Sequence, residues 1–544
     1  MSAIVDIKQR PRGSGRSRYI ALLPLLALVA MPLLMLVTSW TQPQTEIWAH
    51  MRQHLLPMLI GHSVLLIMVV GLGVMVVGVS MAWLSACCDY PLRRWLDPLL
   101  VLPLAFPTYV MAFIYLGVLD YTGPVQTQWR AWFGHSPWLF EQLSRPGGVL
   151  LILILAFYPY VYLLTRAAFL SGGLSAFEAS RSLGVSPLKT FWRVSLPVAR
   201  PAIVAGLTLA MMETLADFGA VAIYGYETFT TAIYRTWLGM FNLTAAVQLA
   251  SILMLFILLL LMAERFSRGH GGQQAERRPS GQRMRLRGWQ AALATGSQAT
   301  VVLVALVIPL VQLGVWVWPQ LSDIGQGAMP RLISNTLVLG LSGALVVVLG
   351  GVVLLAATHR GHQRVRLLGE VSALGYAIPG SVLAVAIMLA FVRIDQWLGT
   401  AMAGGLTALV LAYLIRFVRV AWGPLDGVVG RIRPHYTEVA RSLGVPRWYT
   451  VLRVNVPLLW PGLMTAFLLA VVEIAKEMPA TLMLRPFGWD TLAVRIYELT
   501  AEGQWELAAV PALVLVVIGA IPVMILIRQA STLLSDQRHG RAGL

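Results

Sequence analysis

The sequence predicts an all-α integral membrane protein in which about twelve transmembrane helices form two parallel repeats of six. Of its 544 residues, 58% are hydrophobic and only 12% are charged, a balance that soluble domains do not have. Apolar runs of about 20 residues, each long enough to cross a bilayer, recur along the chain. One polar segment also occurs twice, at matching places in two otherwise apolar halves.

Twelve apolar runs are predicted to be membrane spans, six in each half. They cover roughly residues 20–39, 61–86, 97–119, 148–170, 201–223, 244–263, 293–318, 335–358, 367–391, 402–423, 460–484 and 506–528. Five segments follow from them: a cytoplasmic N-terminal tail (1–19), a first repeat (20–264), a basic cytoplasmic linker (265–292), a second repeat (293–530) and a cytoplasmic C-terminal tail (531–544). The linker is rich in Gly and Arg, which is typical of a flexible connection.

The basic residues predict the orientation of the chain. Its net charge is +17, and most of the 41 Lys and Arg lie in or beside segments that are cytoplasmic if the N-terminus is inside. This positive-inside bias places both termini and both copies of the repeated segment in the cytoplasm. It also explains the charge without a nucleic-acid partner, and we expect none. The first span lacks a small-x-small cleavage site, so we expect it to be an uncleaved anchor.

The repeated segment is interpreted as a pair of docking loops. Its copies, residues 178–197 and 438–457, are related by an offset of 260 residues. A single copy could be an amphipathic loop that rests on the protein's own surface. Two matched copies on the same side of the membrane favour a surface that binds a partner.

Each copy has the pattern of a helix, a glycine turn and a second helix. Ser175 stands three residues before Glu178, as in a capping box. Gly184 and its counterpart Gly444 are expected in the left-handed position that ends a helix. Ser186 and the proline after it then start the second helix as its N-cap and first residue.

Apolar residues repeat at helical spacing along the second helix of each copy. They are Leu188, Phe191 and Trp192 in the first copy and Trp448, Val451 and Leu452 in the second. Such a stripe suits a helix that lies in a groove of another protein.

The segment Glu178-Ala179-Ser180, followed after three residues by Gly184, resembles the Glu-Ala-Ala loop of permease subunits of ATP-binding-cassette (ABC) importers. In that family the loop docks in a cleft of the ATPase subunit, so the resemblance implies the type I ABC importer permease fold. The second copy reads Glu-Val-Ala and has His435 in place of Ser175, but it keeps the Glu and the Gly. The residues that the resemblance assigns to ATPase coupling are Glu178, Ala179, Arg181, Leu183, Gly184, Leu188, Phe191, Trp192, Pro197, Glu438, Arg441, Leu443, Gly444, Trp448, Val451, Leu452 and Pro457.

The fifth span of each half contains carboxylates that a bilayer disfavours. Glu213 and Asp217 are four residues apart and are predicted to share one helical face. Glu473 and Glu477 match them at the offset of 260, with Lys476 on nearly the same face. Such residues commonly face an aqueous cavity, so we assign all four to the substrate pathway. Structural pairing, in which protonation or Lys476 neutralises them and fixes only the packing, is the alternative.

Three further stretches, residues 212–219, 230–237 and 476–482, resemble the fused permeases of ferric-iron importers. The resemblance implies a complete translocation unit in the bacterial inner membrane. It also implies ferric iron as the cargo, a periplasmic iron-binding protein and two copies of an ABC ATPase as partners. Permeases for thiamine, polyamine and other small solutes share this architecture and stay open as alternatives. Ferric iron would favour carboxylate and phenolate oxygens, but the sequence assigns no firm metal site.

The sequence argues against ATP hydrolysis by this chain. A phosphate-binding loop needs Gly-Lys followed by Ser or Thr, and none of Lys8, Lys189 and Lys476 follows a glycine. We therefore expect no catalytic site and no bound cofactor, with ATP used by the partner subunits. A proton-coupled secondary transporter would also suit two parallel halves, but it has no need of matched docking loops.

Overall fold

The computed structural model describes residues 15–170, 178–180, 182–268, 283–325, 327–359, 361–430, 439–440 and 442–539. Within these ranges the predicted all-α membrane fold is confirmed. Eleven of the described helices are long and apolar enough to cross a bilayer, and one bent helix pair raises the number to twelve. Each of the twelve predicted spans has its counterpart, although several bounds differ.

The first half contains the helices Gly15–Thr38, Thr45–His50, Leu56–Cys87, Arg93–Leu99, Thr108–Leu119, Pro124–Phe133, Trp138–Ser144, Val149–Ala168, Pro187–Thr190, Leu196–Ala216, Gly219–Ile223, Phe229–Tyr234 and Leu243–Arg268. The second half contains Trp289–Val302, Ile308–Val317, Met329–Thr358, Gln363–Ser372, Gly380–Leu398, Leu406–Val429, Arg447–Thr450, Val456–Lys476, Pro479–Leu484, Leu492–Ala501 and Trp505–His539. Spans are numbered below in chain order, from the first to the twelfth.

Prolines interrupt the third span of each repeat. The predicted span 97–119 bends by 98° just before Thr108, where Pro107 starts the second helix of the pair. The predicted span 367–391 divides in the same way before Pro379. A proline lacks the backbone N–H that a helix needs and disfavours helical geometry at the residue before it. The prolines therefore divide each of these predicted spans into two helices.

The fifth span of each repeat ends earlier than predicted. The expected ranges were 201–223 and 460–484, but the helices stop at Ala216 and Lys476. In each half a short helix follows after a break of two residues. At each break, the continuous surface of a helix is replaced by backbone groups and side chains that are not part of a helix.

The second helix of each docking loop continues into the fifth span. It runs without interruption from Pro187 to Ala216 in the first repeat. Each of these helices contains a five-residue π-helical segment, Phe191–Ser195 in the first repeat and Val451–Asn455 in the second. Each segment ends two residues before a proline, Pro197 or Pro457. A wide turn is expected there because the proline removes a donor from the helical hydrogen-bond ladder.

The first span of each repeat packs in the hydrophobic core of the other repeat. Leu22, Leu25 and Val29 of the first span lie in the hydrophobic core of the second repeat. Val302 and Leu313 of the seventh span lie in the core of the first repeat. Separation of the repeats would therefore expose apolar surface from both cores, and the chain forms one packed unit.

The end of the linker is attached to the first repeat. Cys88–Asp89 pairs in parallel with Met284–Arg285, and Arg283 Nε donates to the Ala86 carbonyl at 3.1 Å. The linker was predicted to be flexible throughout, which is wrong for its described end; residues 269–282 lie outside the described ranges. Cys87 and Cys88 are free and buried, as expected of small apolar fillers.

Candidate functional site

Both docking loops contain the predicted glycine turn. The φ angle is 78° at Gly184 and 72° at Gly444. In the first loop Val185 N–H donates to the Ser180 carbonyl at 3.2 Å, and the second loop repeats this bond at 3.1 Å. The pattern is a Schellman closure, which requires a left-handed residue at the glycine. A Cβ at either glycine would meet no atom of the described residues within 4 Å, so backbone conformation and not space selects glycine.

A buried threonine lies near the start of the second helix in each loop, a feature that was not predicted from the sequence. The Thr190 hydroxyl is 2.9 Å from the Ser180 hydroxyl and donates to the Ser186 carbonyl at 3.1 Å. Thr450 makes the matching backbone bond in the second loop at 3.3 Å. Ser180 and its counterpart Ala440 are buried. The third position of the loop therefore has to be small.

Both loops present large apolar side chains to solvent. The exposed ones are Leu183, Leu188, Trp192, Leu443, Trp448 and Leu452. Leu183 is 81% exposed and Leu443 is 74% exposed, although leucine is among the most buried residue types. Leucine and tryptophan exchange places between the loops, so the two surfaces have similar apolar character. Exposed apolar surface of this kind indicates a protein–protein contact.

The remaining coupling residues are placed less uniformly. Phe191 is half-buried and its ring packs 4.9 Å from that of Trp83, so it anchors the loop instead of facing outward with Leu188 and Trp192. Ser186 stands at the helix start, but among the described residues its side chain makes no capping hydrogen bond. Glu178 and Ala179 are exposed, and Pro197 and Pro457 lie in the first turn of the long helices. Ser175, Arg181, His435, Glu438, Arg441 and the side chain of Val451 lie outside the described residues.

A cavity of about 130 Å³ lies at the breaks in the fifth and eleventh spans. All four predicted pathway carboxylates line it, so the structure brings residues of both repeats together. Its ionisable and hydroxyl-bearing lining residues are Glu213, Asp217, Glu473, Glu477, Arg416, Lys476, Tyr109, Tyr160, Tyr376 and Thr108.

The carboxylate of Asp217 caps a short helix. Asp217 follows Ala216, the last residue of the fifth span, in an extended conformation. Its Oδ1 accepts backbone N–H groups of Ala220 at 3.0 Å and Val221 at 3.2 Å, and its Oδ2 accepts the Thr108 hydroxyl at 2.5 Å. The prediction that it shares a helical face with Glu213 was wrong, because the helix has already ended.

Glu477 has the same role in the second repeat. Its Oε1 accepts the Ala480 N–H at 3.0 Å and its Oε2 accepts the Thr481 N–H at 2.9 Å. Arg416 lies 3.6 Å from Oε1 as its ion-pair partner. Asp217 and Glu477, the capping carboxylates, are both buried.

Glu213 and Glu473, the open carboxylates, are partly exposed to the cavity. Glu213 Oε1 accepts the Tyr376 hydroxyl at 3.1 Å. Glu473 Oε1 lies 3.2 Å from Lys476 Nζ, which also donates to the Leu104 carbonyl at 3.3 Å. Among the described residues Glu213 forms no ion pair. Of the two open carboxylates, it is therefore the one whose charge is less neutralised.

The sequence analysis missed Arg416 and the tyrosines of the cavity. Arg416 could have been found, because it is an ionisable residue inside the predicted span 402–423. Tyr160 and Tyr376 gave no such signal, since tyrosine is common in spans and at their ends. The described residues contain no cluster of three or more His, Cys, Asp or Glu that could hold a metal.

Three aromatic rings pack together just beyond the end of the fifth span. The Phe218 ring lies 5.2 Å from Tyr234 and 5.4 Å from Tyr497. Phe218 lines the central cavity, and all three rings line a second cavity of about 350 Å³ beyond it. Because the fifth span starts at a docking loop and ends at the central cavity, the second cavity lies farther from that loop. These three residues are called the aromatic cluster below.

The chain matches a known family twice. Residues 75–264 and 347–536 each match the model of the binding-protein-dependent transport system inner membrane component. The two matches cover most of the described membrane helices. They fall in separate halves, as the internal repeat predicts.

Several curated proteins are similar to this chain. The Fe(3+)-transport system permease protein FbpB 2 of Haemophilus influenzae is 27% identical over 87% of this chain and 90% of its own length. The ferric transport system permease protein FbpB of Actinobacillus pleuropneumoniae is 22% identical over 77% of this chain and 63% of its own length. The putative 2-aminoethylphosphonate transport system permease protein PhnV of Salmonella typhimurium is 32% identical over 38% of this chain and 77% of its own length.

Proposed function

The chain belongs to the family of binding-protein-dependent transport system inner membrane components, and from this premise we propose that it carries ferric iron as the permease of an ATP-driven importer. Family membership makes it a multi-pass inner-membrane transport subunit and not an enzyme. It also implies an ATPase and a solute-binding protein as partners. The observation that carries the choice of iron is the alignment with a ferric-iron permease over 90% of that protein's length. Thiamine, polyamine and other small solutes are the alternative cargoes.

The chemistry of the cavity supports a cationic cargo. Four carboxylates and three phenols face it, against the two cations Arg416 and Lys476. Carboxylate and phenolate oxygens are hard donors, which a trivalent ion prefers. The open carboxylates Glu213 and Glu473 are the groups that we assign to transient contact with the ion. The capping carboxylates hold the short helices that shape the cavity.

We assign the exposed apolar surfaces of the two docking loops to the ATPase. One chain carries both loops, so it binds two ATPase copies and one periplasmic iron-binding protein; native mass measurement of the purified complex tests this ratio. The chain itself binds no cofactor, and ATP is hydrolysed on the partners. The basic residues support cytoplasmic termini. We retain the proposed division into tails 1–19 and 531–544, repeats 20–264 and 293–530 and linker 265–292.

A proton-coupled secondary transporter is the rival from another class. It would use the intramembrane acids as a proton relay and would bind no ATPase. Membership of a binding-protein-dependent family argues against it. The exposed leucines and tryptophans of the docking loops also have no use in such a carrier.

Uptake of labelled solutes tests the proposed cargo. A strain that lacks this chain is compared with the same strain carrying it, using labelled ferric iron, thiamine and polyamine in parallel. We expect chain-dependent uptake of iron alone, and its loss when the partner ATPase is inactivated. Chain-dependent uptake of thiamine or polyamine without iron would transfer the proposal to that solute, and ATPase-independent uptake would favour the secondary transporter.

A further inference from the structure

The charges of the cavity are asymmetric between the repeats. The offset of 260 residues pairs Glu213 with Glu473 and Asp217 with Glu477, so the acids are duplicated. The same offset pairs Ala156 with Arg416 and Ala216 with Lys476, and all four of these residues line the cavity. The first repeat thus has alanine at both positions where the second repeat has a cation.

Arg416 is held in a fixed position. It pairs with the capping carboxylate Glu477, and its side chain is only 15% exposed. A Cβ at Gly380 would lie 2.3 Å from Arg416 Nη1 and 2.5 Å from Glu477 Oε1, so the absence of a side chain there makes room for the pair. By the alignment of Pro107 with Pro379, Gly380 corresponds to Thr108, which donates to Asp217. Arg416 is therefore an additional, charged partner of a structural carboxylate that also accepts the Thr481 hydroxyl at 2.8 Å.

Lys476 has a different environment. Its Nζ lies 3.2 Å from Glu473 Oε1 and 3.3 Å from the Leu104 carbonyl. These oxygens belong to the second and the first repeat, respectively, so the ammonium group bridges the cavity between the repeats. A lysine is a compact charge on a flexible stem, and it can leave such a position by rotation of its side chain.

We propose that the ammonium group of Lys476 is a resident counter-ion that occupies part of the cation site in the empty cavity and leaves when the cargo ion arrives. The inference rests on the proposed cationic cargo. Before the ion enters, Lys476 partly neutralises the open carboxylates, whose charges would otherwise repel each other across a cavity of only about 130 Å³. The cargo then has to replace one positive charge.

This exchange selects for highly charged ions. The attraction of an ion to the carboxylates grows with its charge, whereas the interaction that it displaces, that of one ammonium group, is fixed. A monovalent ion gains little by the exchange, and a trivalent ion gains most. Lys476 thus lowers the affinity of the cavity for every cation by the same factor, so that only an ion with a strong attraction to the carboxylates binds.

Terbium binding tests the proposal directly. Tb³⁺ is a trivalent ion that prefers oxygen ligands, and its luminescence is sensitised by nearby aromatic side chains. It is titrated into the purified full-length chain in lipid nanodiscs, alone and in competition with Ca²⁺. The variants are Lys476→Met, which removes the charge, and Lys476→Gln, which removes the charge but keeps a hydrogen-bond donor for Glu473 and Leu104. Arg419→Met is the matched control, because Arg419 is an exposed cation of the tenth span that does not line the cavity.

We expect Lys476→Met and Lys476→Gln each to tighten the binding of both Tb³⁺ and Ca²⁺ by about tenfold, because both ions displace the same ammonium interaction and its removal leaves their relative affinity unchanged. Arg419→Met should bind as the wild type does. A purely structural Lys476 predicts instead that the Gln variant keeps the wild-type affinity for both ions, which would overturn the proposal. The Gln variant also decides the matter if the Met variant does not fold.

The outcomes that would overturn the counter-ion role differ from those that would overturn the proposed cargo. If the wild-type chain supports iron uptake but both variants bind Tb³⁺ like the wild type, only the counter-ion role is overturned. If neither the wild type nor the variants bind Tb³⁺ and no iron uptake depends on the chain, the cationic cargo itself is wrong.

Discussion

The carboxylate of Asp217 accepts two backbone N–H groups at the start of a five-residue helix. A helix of this length has almost no internal hydrogen bonds, so its cap contributes much of its local stability. Glu477 does the same for the matching helix of the second repeat. These two short helices form part of the cavity wall, and their caps therefore fix where the open carboxylates lie.

Substitution of Asp217 separates capping from contact with the cargo. Asn keeps an oxygen that accepts both N–H groups, so Asp217→Asn should insert normally and retain most of the uptake. Asp217→Ala removes the cap and should destabilise the protein by about 1–2 kcal/mol. Thermal unfolding in detergent and iron uptake normalised to inserted protein measure the two effects. A large loss of normalised uptake in the folded Asn variant would instead place Asp217 in contact with the ion.

Glu213 should behave in the opposite way. Glu213→Gln keeps the size of the side chain and an acceptor for the Tyr376 hydroxyl, so the fold should be unaffected. The loss of a negative charge should lower normalised iron uptake severalfold, because the cavity attracts the cation less. Wild-type uptake in this variant would remove Glu213 from the pathway.

At the scale of elements, each docking loop contains a hydrogen-bonded glycine turn that precedes a long helix. Gly184 and Gly444 have left-handed φ angles in otherwise open surroundings. The following helix runs directly into the span that ends at the cavity. A displacement of the loop can therefore reach the cavity along one helix, which is a physical route for coupling.

Replacement of either loop glycine tests this route. Gly184→Val or Gly444→Val should cost about 1–2 kcal/mol in the left-handed position and change the direction of the following helix. We expect normal insertion into the membrane but a loss of ATPase binding and uptake. Gly427→Ala is the control, because Gly427 is exposed in the tenth span, has no positive φ and leaves room for a Cβ. If both valine variants bind the ATPase and transport like the wild type, the coupling role is wrong.

The aromatic cluster makes a second prediction at this scale. Tyr234 and Tyr497 come from different repeats and meet on Phe218. If these rings close the pathway, the double substitution of both tyrosines by alanine should let small ions leak through the chain without ATP, and each single substitution should do so less. The double substitution by phenylalanine keeps the rings and should stay closed. Ion flux into vesicles that contain each variant measures the leak, and an impermeable double alanine variant would show that closure lies elsewhere.

At the scale of the whole molecule, the first span of each repeat packs in the core of the other, and this makes the two repeats inseparable. This arrangement suits a single chain that holds one central cavity and presents two docking loops. The repeat, the number of spans and the glycine turns could be predicted from sequence, because hydrophobic length, periodicity and a left-handed glycine are local properties.

The geometry of the cavity could not be predicted in this way. Glu213 and Asp217 are four residues apart, and a continuous helix would have put them on one face. The helix ends between them, because the Asp217 carboxylate caps the next helix instead of adding a further turn to the first one. Residue spacing does not reveal this competition. The pairing of Arg416 with Glu477 depends on the empty space at Gly380, a contact between helices that are distant in sequence.

The central claim is that this chain is the permease of an ATP-driven ferric-iron importer. The most direct test is iron accumulation in proteoliposomes that contain the purified chain, its ATPase and the iron-loaded binding protein. We expect uptake that requires ATP and the binding protein, and that is lost in a Gly184→Val/Gly444→Val double variant whose insertion is normal. Iron uptake that proceeds without ATP or the ATPase, or no uptake with all partners present, would contradict the account.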